Sequence, residues 1–473
     1  MKIRLNTLLV ALVFLCSWQL SWGYAADVTV TIDGAKEYQT IDGFGGAESG
    51  LLPPASMYTT IFDDLGVSVL RFAMFAYTES LPDQPGDEAR DNDNNDPFVI
   101  DWNGVATVIL DKFAPLLKAA QSRGVKIIGT TWSPPAWMKQ NNLVESSGLF
   151  QPGYEDELVE FIVIWVKGMQ MYHGVHIDSV TIQNEPDNLP PWPGCKYTAA
   201  QITDIVKRLG ARFQAEGITT EIHAPDITSL NHFITYGNAI CQDPDAKNYV
   251  DTLATHPYGT DEYNPDNDIP LWVAAHNLSS VCGKNLWQTE FAEPGSPTVW
   301  SHSLLAAQHL HNALVYGQVS AWLNFQLYKT SGGGGGLIAD DGTPYVKFHA
   351  LKQYYRYVRP GAIRVSSVSG DTDIMVTAFN HQINNNFTIV VINRDTVDKT
   401  VSFNMSNLIP ILNLNAYRTS VSENSVGLGS ISVKANSFTF TLPGESITTF
   451  TGQLVDPQAP PQAPTGLKII NLS

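Results

Sequence analysis

One stretch of the sequence reads Val180-Thr181-Ile182-Gln183-Asn184-Glu185-Pro186, an apolar, β-branched run that passes directly into polar residues. Its first three residues predict a strand, because β-branched side chains fit a pleated sheet. The same order recurs at Asn285-Leu286-Trp287-Gln288-Thr289-Glu290, where a second strand-like run ends in a glutamate. If the strands are parallel, their carboxyl ends meet at one edge, and Glu185 and Glu290 are then expected on the same rim.

The pattern around these two runs is a regular alternation of apolar strands and amphipathic helices from about residue 60 to 355. Such alternation predicts a parallel sheet. Roughly eight strands in about 310 residues favour an α/β fold of the (β/α)8 TIM-barrel type over an open doubly wound sheet. The predicted strands are 67–72, 125–130, 180–182, 220–224, 252–255, 285–289 and 321–325, and the predicted helices are 105–120, 158–171 and 198–215.

The region after Pro360 has a different pattern, with short alternating strands that predict an all-β sandwich as a side domain. Residues 26–45 alternate in the same way, so we expect them to contribute strands to this sandwich. The predicted barrel covers residues 46–355 and the predicted sandwich covers residues 356–453. Residues 454–473 are rich in proline and predict a linker or tail.

The N-terminal 25 residues have the composition of a secretory signal peptide. Lys2 and Arg4 precede an apolar run from Leu8 to Leu15, and small residues follow at Gly23 and Ala25. The run is too short to span a bilayer comfortably. We therefore predict a secreted, extracellular protein without a membrane anchor.

The composition narrows the classes of partner. The net charge is −18, which argues against a surface that neutralises nucleic-acid phosphates. A neutral polysaccharide is an easier partner for so acidic a chain. After removal of the signal peptide three cysteines remain, Cys195, Cys241 and Cys282, so at most one internal disulfide forms and the sequence does not name it. We expect a monomer.

Motifs for metal or nucleophilic hydrolases are absent from the sequence. There is no His-Glu-x-x-His and no Gly-x-Ser-x-Gly, and the cysteine spacing fits no zinc site. The acidic run 91–96 lacks the glycine and the terminal glutamate of a calcium loop. The five glycines at 332–336 lack the Lys-Ser/Thr of a phosphate loop and predict a mobile loop beside the cleft. We expect neither a cofactor nor a metal.

Glu185 and Glu290 are the candidate catalytic pair. They lie 105 residues apart, about three βα units of roughly 35 residues, which places them on opposite sides of the barrel mouth. Glycoside hydrolysis requires such a pair, with one carboxylic acid to protonate the leaving oxygen and one carboxylate to face the anomeric carbon. By the same argument from strand ends, Arg71 is a candidate for holding Glu290 in its charged form.

Several motifs in a fixed order carry a family resemblance. They are IDGFGG (41–46), WSPP (132–135), QNEPD (183–187), THPYGT (255–260), LWQTE (286–290), HLHNA (309–313) and VRPG (358–361). The chain resembles glycoside hydrolase family 30, in particular its bacterial xylanase branch, over nearly the whole mature sequence.

This resemblance implies a retaining mechanism in a barrel that carries a β-sandwich. It implies that Glu185 is the acid/base and Glu290 the nucleophile, with carboxyl groups about 5–5.5 Å apart. Glu185 is then expected where its charge is disfavoured, and Glu290 where hydrogen bonds or a cation keep it ionised. Asn184 is expected to bind the sugar 2-hydroxyl.

Aromatic residues near the strand ends are candidates for stacking on sugar rings. Trp132 and Tyr258 are the expected platforms, whereas His256 fits a pocket residue and a packed core histidine equally well. Further subsites are predicted on rim loops at Trp137, Trp192, Trp300 and Tyr328.

The sequence departs from the family where glucuronic acid branches are bound. The related xylanases carry Arg-Arg-Ser-Tyr-Gly after the last barrel strand, but the corresponding residues here are Tyr328-Lys329-Thr330-Ser331-Gly332. Lys329 offers a point charge in place of a bidentate arginine. The resemblance and this change together predict an endo-β-1,4-xylanase that does not strictly require glucuronic acid branches.

Other activities remain open at this point. An exo-acting enzyme that releases xylobiose, a β-1,6-glucanase and a β-1,6-galactanase all fit the same family. A non-catalytic polysaccharide-binding protein would bind without turnover. A metal-dependent esterase would need a cluster of ligands that the sequence does not present.

Overall fold

A computed structural model describes residues 28–76, 96–100, 102, 107–293, 295–329 and 335–455. Four of the predicted features fall wholly or mainly outside the described residues. These are the signal peptide at 1–25, the acidic run at 91–95, the glycines at 332–334 and the tail from residue 456.

The described residues form β-strands and α-helices in the following order. The strands are β1 (Val28–Thr40), β2 (Gly43–Glu48), β3 (Val69–Phe75), β4 (Lys126–Ser133), β5 (Gly148–Leu149), β6 (Ser179–Thr181), β7 (Cys195–Lys196), β8 (Glu221–Ile227), β9 (Thr252–Thr255), β10 (Asn285–Phe291), β11 (Ala321–Phe325), β12 (Ile363–Ser369), β13 (Ile374–His381), β14 (Asn386–Asn393), β15 (Lys399–Ser406), β16 (Asn413–Ser420), β17 (Glu423–Ser432), β18 (Ser437–Leu442) and β19 (Ser446–Gln453). The helices are α1 (Thr107–Gln121), α2 (Glu155–His173), α3 (Ala199–Glu216), α4 (Leu230–Gln242), α5 (Pro244–Tyr249), α6 (Ile269–Cys282), α7 (Trp300–Asn312) and α8 (Val346–Tyr355).

Eight parallel strands close into a barrel in the order β2-β3-β4-β6-β8-β9-β10-β11, which confirms the predicted fold class. The last strand pairs with the first, from Ala321 opposite Gly43 to Phe325 opposite Ala47. Strand β2 begins at residue 43, so the barrel starts three residues before the predicted boundary. A Cβ on Gly45 would collide with the backbone carbonyl of Val69, so this close approach requires glycine.

The side domain is a nine-stranded sheet in the order β17-β16-β19-β14-β13-β12-β1-β15-β18. Strand β1 pairs with β12 and β15, which places the N-terminal strand in this sheet, where the sequence pattern predicted it. Phe403 of β15 and Phe438 of β18 pack against Phe450 of β19, although β19 lies near the other end of the strand order. The sheet therefore curls over its own aromatic core. Strands β16 and β17 were not predicted, because β16 is rich in polar residues and β17 is mostly exposed.

Strand β14 joins the two domains through alternate residues, since successive side chains point to opposite faces of a sheet. Ile389 and Val391 belong to the core of the side domain, whereas Val390 and Ile392 belong to the barrel core. Trp300 reinforces this contact, because its Nε1 donates to the Glu445 carbonyl oxygen at 2.8 Å. The prediction of Trp300 on a substrate-binding rim loop is wrong, since its indole is 7% exposed and is held at the side domain.

A disulfide between Cys241 and Cys282 links the end of α4 to the end of α6, which answers the question that the sequence left open. Cys195 is a buried free thiol. None of the helices within the described residues is long and apolar enough to cross a membrane.

Candidate active site

Glu185 and Glu290 meet at the carboxyl ends of the barrel strands. Glu185 follows β6 and Glu290 lies near the end of β10, and their exposed fractions are 8% and 4%. A carboxylate oxygen of each and a ring nitrogen of His256 lie within 4.8 Å of one another. This upper limit is below the roughly 6.5–9.5 Å of inverting glycosidases, so the arrangement fits the shorter carboxyl separation of retaining ones, roughly 5–5.5 Å.

Local backbone geometry aims both glutamates into the mouth. Glu185 has a φ of +49°, a left-handed conformation that non-glycine residues rarely adopt. Its amide donates to the Asp226 carbonyl oxygen at 3.0 Å, so the neighbouring strand end supports this conformation. The pairing of β10 with β11 shifts register between Gln288 and Phe291, and such irregularities redirect side chains beside active sites.

Arg71, near the middle of β3, is fully buried and contacts three site residues. Its Nη1 donates to Glu290 Oε2 at 2.7 Å, and its Nη2 donates to Asn184 Oδ1 at 2.6 Å and to Asp226 Oδ2 at 2.8 Å. Burial opposes its charge, but Asp226 and Glu290 outweigh that effect and raise the pKa of Arg71. The structure thus brings Arg71 to Glu290, and its proposed role in holding the Glu290 charge stays a prediction.

Asp226, at the end of β8, is a site residue that the sequence argument missed. It is fully buried, with a φ of +60°, and Thr181 and Thr289 donate to its carboxylate in addition to Arg71. Burial favours its neutral form, but Arg71 and His256 hold the pKa of Asp226 well below its usual range. The argument from strand ends would have found it if the predicted strand had not ended at Ala224.

His256 lies between three carboxylates. Its Nδ1 is 3.2 Å from Glu185 Oε1 and its Nε2 is 3.3 Å from Asp226 Oδ1. Burial disfavours the imidazolium, but Glu290, Asp226 and Glu185 together raise the pKa of His256 to about 10. This shift favours the imidazolium form of the fully buried ring. Ligand atoms of Glu185, His256 and Glu290 lie close enough together to hold a metal ion, and His256 Nδ1 is already in hydrogen-bond contact with Glu185 Oε1 at 3.2 Å.

The second oxygen of Glu290 contacts Tyr258, whose hydroxyl donates to Oε1 at 3.2 Å and accepts from the Ala292 amide at 3.0 Å. Burial raises the pKa of Glu290, with His256 and Arg71 opposing this shift. The cation and the hydrogen bonds expected around the nucleophile are therefore present, although burial outweighs them. The Tyr258 hydroxyl is thus a hydrogen-bond donor to Glu290, and Tyr258 also lines the cavity beside the glutamates.

A cavity of about 840 Å³ opens above the pair. Trp132 is 7% exposed in its wall and stacks on Phe325 with ring centroids 6.1 Å apart. Trp192 is 52% exposed and also lines the cavity. The wall residues further include Ser49, Leu51, Phe75, Lys112, Glu145, Asn184, Asn188, Thr228 and Lys329.

Besides Trp300, two other aromatic residues predicted for the rim are not part of this wall. Tyr328 is 7% exposed and belongs to the barrel core, where its backbone amide donates to the buried Glu48. Trp137 packs edge-on against Tyr154. Lys329, next to Tyr328, does line the cavity, so the change from the family's arginine faces the substrate space.

Comparison with known proteins gives a consistent family match. A family model described as "Glycosyl hydrolase family 30 TIM-barrel domain" matches residues 91–360, more than half of the chain. The glucuronoxylanase XynC of Bacillus subtilis strain 168 is 27% identical over 445 residues, which cover 90% of this chain and 92% of that protein.

Two other relatives extend the comparison. The family 30 subfamily 8 xylanase Xyn30A from Clostridium acetobutylicum superposes with a TM-score of 0.74 at 25% identity, covering 90% of this chain and 99% of that one. The endo-1,6-β-D-glucanase neg1 of Aspergillus fumigatus is 28% identical over 316 residues, 59% of each chain. Relatives with two different substrates therefore share this sequence pattern.

Proposed function

Because the chain belongs to glycosyl hydrolase family 30 and is therefore a glycosidase, we propose that it is a secreted, retaining endo-β-1,4-xylanase that does not depend strictly on glucuronic acid branches. The observation that carries the retaining chemistry is the spacing of Glu185 and Glu290, whose oxygens lie within 4.8 Å. The similarity to xylanases over 90% of the chain supports the substrate.

In the first step of the proposed reaction, a Glu290 oxygen attacks the anomeric carbon while Glu185 protonates the leaving oxygen. The Glu290 carboxylate is oriented for this attack, since Arg71 holds one oxygen and Tyr258 the other. In the second step Glu185 removes a proton from water, which then releases the sugar from Glu290. Asn184 Oδ1 is bound by Arg71, which leaves its Nδ2 to donate to the sugar 2-hydroxyl.

The tolerance for unbranched chains is argued from Lys329. An arginine matches a carboxylate with two parallel hydrogen bonds, but a lysine supplies only one compact charge. A glucuronic acid branch near Lys329 would therefore be attracted without being required. The cavity volume of about 840 Å³ and the exposed Trp192 in its wall support cleavage within a long chain.

Secretion is proposed on two observations. Residues 1–25 have the order of a signal peptide, and the Cys241–Cys282 disulfide is of a kind that persists in oxidising compartments.

The test is a product profile by mass spectrometry on glucuronoxylan, linear xylooligosaccharides and a β-1,6-glucan, with Glu290→Gln as the control. Mixed xylooligosaccharides from both xylan substrates, absent with the control, are the expected result. Xylobiose as the only product would replace the endo mode with an exo mode. Absence of xylan products would overturn the xylanase assignment.

The second candidate is a β-1,6-glucanase, favoured by the similarity to the Aspergillus fumigatus enzyme. Glucan products without xylan products would select it. Binding of a polysaccharide without any turnover would instead favour a non-catalytic binding protein.

A further inference from the structure

We propose that Asp226 is a positioning residue that holds Arg71 and His256 as cations and thereby sets the arrangement of Glu185 and Glu290. The inference rests on the proposed retaining chemistry at these two glutamates. Asp226 itself is fully buried and contacts both cations.

The carboxylate of Asp226 accepts three hydrogen bonds and faces one further ion-pair partner. Oδ2 accepts from Arg71 Nη2 at 2.8 Å and from Thr181 Oγ1 at 2.8 Å. Oδ1 accepts from Thr289 Oγ1 at 2.5 Å, with His256 Nε2 at an ion-pair distance of 3.3 Å. These four partners come from β3, β6, β10 and the residue that follows β9, so one side chain contacts four segments of the barrel.

An ionised carboxylate matches the two cationic partners of Asp226. An asparagine of the same shape would offer a single acceptor oxygen, and its amide group would face either the Arg71 guanidinium, which can only donate, or the His256 ring. A buried donor without an acceptor is costly, so the donors would turn away. Asp226 is therefore required as an anion and not merely as a space-filling side chain.

Each cation that Asp226 holds also contacts a glutamate. Arg71 uses Nη2 for Asp226 and Nη1 for Glu290, so the orientation of its planar group fixes both contacts together. His256 places Nε2 towards Asp226 and Nδ1 towards Glu185. The groups that face the His256 ring are Glu185, Asp226, Glu290 and Tyr258. Loss of the Asp226 charge removes one of three anions that keep this ring protonated.

The experiment combines nitrogen-15 NMR of labelled histidine with steady-state kinetics. His256 resonances are assigned with His256→Gln, and wild type is compared with Asp226→Asn across a pH series. The matched control is Asp187→Asn, because Asp187 is also a buried carboxylate near the mouth but contacts Thr228 and His232 instead. Kinetics use the substrate that the product profile identifies.

The expected result is an imidazolium at His256 in the wild type at pH 7, with deprotonation at lower pH in Asp226→Asn than in the wild type. The variant is expected to lose kcat by at least about 100-fold, with KM changed by less than about threefold. Asp187→Asn is expected to keep the wild-type titration of His256. A neutral His256 in the wild type, or a folded Asp226→Asn with wild-type kcat, would overturn the proposal.

A second variant covers the case in which Asp226→Asn does not fold. Thr289→Val removes one donor and retains the carboxylate, and it is expected to lower kcat by roughly three- to tenfold at constant KM. An unchanged kcat in this variant would contradict the proposal. The NMR measurement needs no substrate, so failure of the wild type to cleave any polysaccharide would reject the proposed function separately.

Discussion

The guanidinium of Arg71 lies 2.7 Å from the Glu290 carboxylate, and the two side chains are 0% and 6% exposed. A lysine at position 71 would keep the charge but would lose the fork that reaches Glu290, Asn184 and Asp226 together. We expect Arg71→Lys to lower kcat/KM by about 100-fold. The control is Arg394→Lys, because Arg394 pairs with Asp266 and Asp373 away from the site. Similar losses in both variants would contradict this assignment.

Glu290 is expected to reduce stability at neutral pH, because burial raises its pKa in the folded protein. Ionisation of Glu290 therefore lowers the free energy of unfolding. The full effect is reached at a pH above the pKa of the folded state, and there is no effect at a pH below the pKa of the unfolded state, about 4.3. Glu290→Gln removes this effect, so we expect a higher Tm than wild type at pH 7 and a difference that disappears near pH 3.5. Thermal melts across this range are the measurement.

The matched control for this prediction is Glu423→Gln, since Arg418 lowers the pKa of Glu423 through its hydrogen bonds. A lowered pKa contributes stability above the unfolded pKa, and that stability is lost as the pH falls through the folded value. Glu423→Gln should therefore lower Tm at pH 7, the opposite sign. The same sign in both variants would refute the electrostatic explanation.

The barrel was predictable because its apolar strands alternate with amphipathic helices along the sequence. Strands β9 and β11 were predicted at their observed limits. The predicted domain boundary divided strand β2, because Gly43–Glu48 owes its place to close backbone approach, which leaves no apolar alternation in the sequence. Strands β16 and β17 were missed for a related reason. No residue of β17 is buried, and β16 buries polar residues such as Thr419 and Ser420, so hydrophobic alternation is weak in both.

At the site, the sequence identified Glu185 and Glu290, each of which lies in a short continuous motif. It missed Asp226, whose role depends on contacts with residues that are distant in sequence. Glu185 and Glu290 follow strand-like runs, whereas Asp226 is defined by donors from Arg71, Thr181 and Thr289, which are distant in sequence. Such contacts are visible only after the barrel closes. Tyr328 was predicted for the rim but is not a wall residue, although the neighbouring Lys329 is one. Closeness in sequence to a wall residue therefore does not place a side chain in the cavity.

Trp192 is predicted to bind a sugar ring at a distance from the cleaved bond. Its loop is anchored because β7 pairs with β5 and Tyr197 stacks on Phe150 with centroids 4.7 Å apart, yet the indole remains 52% exposed. Trp192→Ala should raise KM for long xylooligosaccharides by roughly three- to tenfold and leave short ones unaffected. Leu189→Ala is the control, since Leu189 is also 52% exposed but is not a wall residue. An equal rise in KM for every chain length would contradict a distal subsite.

The Cys241–Cys282 disulfide is predicted to stabilise the barrel without affecting catalysis. It closes a loop with a sequence separation of 41 between the ends of α4 and α6, and neither cysteine is a wall residue of the cavity. Chain entropy over a loop of this length corresponds to about 4 kcal/mol, so Cys241→Ser/Cys282→Ser should lower the free energy of unfolding by up to that amount. Chemical denaturation with and without a reductant measures it.

The control for the disulfide is Cys195→Ser, which removes the buried free thiol and leaves the bridge intact. The free energy of unfolding of Cys195→Ser should still fall when a reductant is added. That of the double variant should not change with the reductant. The kcat at a temperature well below unfolding should be the same for the wild type and the double variant. A loss of kcat in the folded double variant would show that α4 and α6 transmit strain to the strand ends that carry Asp226 and Glu290.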